Sequence, residues 1–115
     1  MYDGFIQIFK DKNPLHVNDK YAQSYGFNEK VMHGAILNGF ISHFIGMIMP
    51  GRNATLLSSD IRHHSPCYIN DELLFSFTLN RKVEATRMLL LTLLVYRFDP
   101  KKIIAKGKIQ VLFRK

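Results

Sequence analysis

From Val31 to Gly51 the chain carries no Asp, Glu, Lys or Arg, and no other stretch limits its fold so strongly. A run this apolar belongs either in a protein core, buried on all sides, or across a bilayer. The polar side chains inside it, His33, Asn38, Ser42 and His43, together with Gly34, Gly39, Gly46 and Gly51, favour the core. A fully buried helix over about 34–49 is expected, closed by Pro50-Gly51, with no membrane span. Within it Ala35, Gly39, Ser42 and Gly46 recur at spacings of four, three and four, so small side chains share one face. Such a face lets packed backbone or a slender ligand come close.

The rest of the chain reads as strands after this helix and short helices before it. Leu73, Phe75, Phe77 and Leu79 alternate with Leu74, Ser76, Thr78 and Asn80, and Ala105, Gly107, Ile109, Val111 and Phe113 alternate with mostly polar neighbours. Both patterns have the period of a strand with one buried face. Four strands are expected, over about 54–64, 72–84, 88–98 and 103–115. The third, Met88 to Val95, is apolar on both faces and should be central and covered on both sides. Ahead of the long helix, Phe5, Ile8 and Phe9 place one apolar face on a short helix over 3–10. A second helix over 18–25 can be capped by Asn18 or Asp19 and closed by Gly26. One long helix followed by consecutive strands is an α+β pattern, a sheet wrapped around a helix in a single domain, 1–115.

Charge narrows the partners. The net charge of +7 fits an anionic partner, namely nucleic acid, a membrane surface or a phosphate-bearing carrier. The nearest cluster, Lys101, Lys102, Lys106, Lys108, Arg114 and Lys115, accompanies no recognised nucleic-acid motif. The lone Cys67 cannot form an internal disulfide, and Met1-Tyr2-Asp3-Gly4 lacks the pattern of a signal peptide. A cytoplasmic protein is expected. His63 and His64 are adjacent and point to opposite faces of a strand, and His33 and His43 lack the spacing of a zinc pair, so no metal is expected. Cys67 reads as a small buried residue.

The chemistry concentrates in Asp11-Lys12-Asn13-Pro14-Leu15-His16. Pro14 prevents one helix from running through this segment and holds Asp11 and His16 on a rigid turn. A carboxylate can orient or polarise a partner while an imidazole exchanges a proton near neutral pH. Further on, the start of the long helix presents backbone N–H groups with partial positive charge, and Gly34 would let a ligand carbonyl approach them. His33, just ahead, would support the helix start or line the pocket.

Read with Tyr21-Ala22, Gly26-Phe27, Val31-Met32-His33-Gly34, Ser42 and Pro50-Gly51, the motif resembles the R-specific enoyl-CoA hydratases of the MaoC-like hot-dog family. The spacing runs without a gap from Asp11 to Pro66. The resemblance implies a hot-dog fold, with a long central helix wrapped by an antiparallel sheet. It also implies reversible hydration of a trans-2-enoyl thioester to an (R)-3-hydroxyacyl thioester, carried by coenzyme A or acyl carrier protein, without metal or redox cofactor. Asp11 and His16 would be catalytic, and Asn13, His33, Gly34 and Ser42 would bind substrate, in a homodimer. Thioester hydrolysis on the same fold and a non-catalytic acyl-CoA or acyl-carrier binding module are the rival expectations. Lys10, Asn18, Lys30 and His63 replace the family's usual glycine, aspartate, proline and apolar aromatic. Only residues 1–10 precede Asp11, so a sheet lacking its first strand is expected.

Overall fold

The computed structural model describes residues 1–114; Lys115, the end of the expected last strand, lies outside the described residues. Helix α1 (Tyr2–Phe9) ends at Lys10, whose left-handed φ of 61° lets its N–H reach the Ile6 carbonyl. Its expected apolar face divides. Phe5 packs on the core, while Ile8 and Phe9 stay exposed at 72% and 66%.

Pro14 does more than interrupt. It is the first residue of a one-turn helix, α2 (Pro14–Val17), where a missing N–H costs nothing. Asn13 caps this turn, its side-chain oxygen accepting from the Leu15 N–H at 3.0 Å. His16 therefore sits on a short helix, not on the expected turn. Helix α3 (Asp19–Ser24) is capped by Asn18, which accepts from the Tyr21 N–H at 2.9 Å, and Gly26 follows with φ 91°.

The charge-free stretch forms α4 (Ala35–His43) and continues as a single π-helical turn, Phe44–Ile48. It is not buried on all sides. Ile36, Leu37, Ile41 and Ile45 face the sheet and are buried, while Ala35, Gly39, Ser42 and Gly46 are exposed. The small-residue face thus points away from the sheet, because the larger apolar residues fill that space. Among the described residues no helix is long and apolar enough to cross a membrane.

Strands β1 (Ala54–His63), β2 (Leu73–Val83), β3 (Met88–Arg97) and β4 (Lys102–Phe113) form one antiparallel sheet in the order β1-β4-β3-β2. All four described strands follow the long helix. β3 is interior to the sheet, as its sequence requires. Only one of its faces is covered, however: Leu89, Leu91, Leu93 and Val95 are buried, whereas Leu90 and Leu94 on the other face are only partly so. The inward residues of β4, Ala105, Gly107, Ile109 and Val111, match the alternation. Leu79 leaves the pattern of β2, half exposed, because a bulge between Leu79 and Arg81 breaks the register. Helix on sheet is a two-layer α+β arrangement, and the core lies between the layers.

Candidate active site

Three segments meet beside the start of α4. The backbone of Asp11 follows the left-handed Lys10, leaving its carboxylate exposed, with Oδ1 accepting from the Asn13 N–H at 3.3 Å. His16, on α2, is held by its neighbour strand of chain: the Val31 N–H donates to the Leu15 carbonyl at 2.9 Å, and the His16 ring Nδ1 lies 2.8 Å from the Val31 carbonyl. A carbonyl can only accept, so Nδ1 carries the proton and neutral His16 presents Nε2 as a free lone pair. Tyr2 reinforces the placement by donating its hydroxyl to the His16 carbonyl.

His33 ties these parts together. It is 2% exposed, and its Nε2–H donates to the backbone carbonyl of Asp11 at 2.9 Å. Its ring stacks on that of His16, with centroids 4.1 Å apart and planes at 29°, and Phe5 packs against it at 4.6 Å. Its Nδ1 is buried without a hydrogen-bond partner among the described residues. One ligand-type atom from each of Asp11, His16 and His33 lies within 4.8 Å of the others. Ligand spacing along one helix or strand does not reveal this cluster, because its members come from three separate segments.

Two openings flank the group. Asp11 lines a groove of about 960 Å³ between α1 and α4, walled by Phe5, Ile8, Phe9, Ala35, Gly39 and Phe40. His16 lines a smaller cavity of about 340 Å³ with Gly34, His63, His64 and Cys67. His63 and His64 share that cavity because β1 ends at His63, so strand alternation no longer separates them. Asn13 spends its side-chain oxygen on the α2 cap. Ser42 is exposed on α4 and does not line the groove, although the adjacent His43 does. The structure thus gathers Asp11, His16, His33 and Gly34 and leaves Asn13 and Ser42 at its margins.

Cys67 is buried at the cavity wall, and its carbonyl accepts from the Met32 N–H at 2.9 Å. Burial pushes its thiol up from the ordinary value, and the Asp71 carboxylate acts in the same direction. Since the thiolate is the nucleophile, iodoacetamide at neutral pH should alkylate the folded protein more than about tenfold slower than a free cysteine. Urea should abolish the protection; mass spectrometry of timed samples reads both.

A helix laid on a short antiparallel sheet is the hot-dog arrangement. The MaoC like domain model matches residues 4–93, and the chain belongs to that family. It is 33% identical over 75 residues to an (R)-specific enoyl-CoA hydratase of Rhodospirillum rubrum, covering 65% of this chain and 52% of that protein. It is 31% identical over 71 residues to a mitochondrial 3-hydroxyacyl-[acyl-carrier-protein] dehydratase of Arabidopsis thaliana, covering 62% and 42%. The chain spans about half the length of the curated relatives it matches. In three dimensions it shares its fold with the (R)-hydratase of Aeromonas caviae involved in PHA biosynthesis, at a TM-score of 0.88 and 21% identity, over 98% of this chain and 85% of that one.

Proposed function

We propose that this domain catalyses the reversible hydration of a trans-2-enoyl thioester, on coenzyme A or acyl carrier protein, to the (R)-3-hydroxyacyl thioester. The observation that carries the reading is the placement of His16, whose Nδ1 lies 2.8 Å from the Val31 carbonyl and one of whose ring nitrogens lies within 4.8 Å of an Asp11 carboxylate oxygen; with Nδ1–H donating to that carbonyl, Nε2 is the nitrogen left to act as the base. Asp11 and His16 hold one water between them. As its oxygen bonds to the β-carbon, one proton passes to the pair, and the C=C electrons shift onto the thioester oxygen. The pair returns a proton to the α-carbon, so one water adds overall and no redox cofactor is required. The Gly34 N–H, at the positive end of α4, stabilises the charge on the thioester oxygen, an effect of a few kcal/mol in comparable sites.

His33 is a positioning residue in this scheme rather than a substrate ligand, because its bond and its stacking both go to the dyad. The groove admits the acyl or pantetheine arm past Ala35 and Gly39, with Ser42 nearby on the same helix. A homodimer in the cytoplasm completes the reading: a second copy covers apolar residues left open along α1 and the π-helical turn after α4, such as Phe9 and Met47 at 66% and 73% exposure. Crotonyl-CoA tests the reaction directly. Loss of its enoyl absorbance without release of free thiol is the expected result; free thiol would mean hydrolysis instead, and unchanged absorbance with every enoyl chain length and carrier would overturn the reading.

A further inference from the structure

Gly34 has ordinary right-handed backbone, φ −59° and ψ −31°, so conformation does not select glycine there. His63 does. A Cβ at position 34 would lie 2.8 Å from Cε1, 3.1 Å from Nε2 and 3.2 Å from Nδ1 of the His63 ring. The imidazole therefore lies against the bare backbone at the start of α4. Its position is set by β1, where His63 is the last residue and pairs with Ala105 of β4. His63 and His16 line the same cavity with Gly34 between α4 and the loop after β1. The rings of His16 and His33 are each anchored to a backbone carbonyl; among the described residues His63 has no such anchor.

We infer that His63 is a second hydrogen-bond donor to the thioester oxygen, acting beside the Gly34 N–H. This rests on the hydration reading. An apolar aromatic at this position would fill the same volume and donate nothing, whereas an imidazole carries at least one N–H in either protonation state. When water oxygen bonds to the β-carbon, negative charge collects on the thioester oxygen; it returns to the carbon framework when the α-carbon takes its proton. His63 holds its N–H on that oxygen throughout and transfers no proton. Two donors from different elements fix the carbonyl direction, which one backbone N–H alone would leave free to swing.

The test compares the wild type with His63→Phe and His63→Gln. Loss of one such donor costs about 10² in kcat, so His63→Phe should lower kcat by about that factor with KM little changed, and His63→Gln, which keeps an N–H, should recover most of it. A second readout does not need turnover. Carbonyl-labelled crotonyl-CoA bound to Asp11→Asn should show its C=O stretch moved to lower frequency in the infrared, and adding His63→Phe should reverse part of that movement. Equal kcat and an unmoved band in His63→Phe would overturn the inference while leaving hydration in place. A wild type that neither hydrates nor binds any enoyl thioester would remove the hydration reading and this inference together. If His63→Phe fails to fold by circular dichroism, His63→Met takes its place and is read the same way.

Discussion

Asp11→Asn is expected to lower kcat for enoyl hydration by about 10² to 10⁴ while changing stability by no more than about 0.5 kcal/mol. The asymmetry follows from how Asp11 is used. Its backbone carbonyl, not its side chain, holds His33. Its exposed carboxylate accepts one bond, from the Asn13 N–H, and an asparagine oxygen can accept the same bond. Structure is preserved and only the charge is lost. His16 allows a sharper separation. His16→Ala removes both the base and the Nδ1–H bond to the Val31 carbonyl, so it should cost about 1 kcal/mol as well as activity. In His16→Asn the side-chain NH₂ sits close to where Nδ1 was and can keep the Val31 bond, while nothing stands at Nε2. That variant should melt near the wild type and turn over no faster than His16→Ala. Near-normal kcat in either Asp11→Asn or His16→Asn would remove these residues from the mechanism.

The largest stability effect should come from a residue far from the dyad. Gly107 lies in β4 between its register partners Ile61 on β1 and Leu93 on β3. A Cβ there would sit 2.3 Å from Cδ1 of Ile61 and 2.9 Å from the carbonyl oxygen of Asp60. The isoleucine can rotate, but the carbonyl belongs to β1 and moves only if that strand moves. Overpacking of a core typically costs about 1–3 kcal/mol, and Gly107→Val, which adds a branched side chain against backbone, should reach or pass the upper end. The midpoint of urea unfolding should fall accordingly. Gly39→Ala is the control: nothing lies within 4 Å of the added methyl, and removing a helical glycine should raise stability by about 0.5–1 kcal/mol. Equal midpoints for the two variants would show that β1 accommodates a side chain at 107.

The strands were legible because period-two alternation is a local property, written in Leu73, Phe75 and Phe77 and again in Ile109, Val111 and Phe113. Their limits came within a residue or two for the same reason. The long helix was legible in its existence but not in its exposure. Periodicity shows that Ala35, Gly39, Ser42 and Gly46 share a face, but which face meets the sheet depends on competition with Ile36, Leu37, Ile41 and Ile45 for the space above β3 and β4. The π-turn over Phe44–Ile48 had no local signal, since its residues suit an α-helix equally well. It brings Phe44 to stack on Phe77 at 3.9 Å, a contact set by tertiary packing. Asp11, His16, His33 and Gly34 could be named as candidates from the motif, whereas the contacts of His33 could not be read from it. Its contacts reach Asp11 and His16 across the α1 to α2 segment, and its neighbours in sequence give no hint of them.

The strand order also fixes a sequence of events in time. β2, β3 and β4 follow one another along the chain and pair in that order, so each can join the growing sheet as it leaves the ribosome. β1 is made first of the four, yet among the described residues its only strand partner is β4, the last. Until β4 emerges, β1 has no strand to pair with, and the apolar side of α4 lacks most of the floor it will rest on. A stalled ribosome or an early stop within β4 would therefore leave a hairpin with a loose helix, not a smaller version of the domain, and quality control would meet a sticky chain rather than a truncated fold.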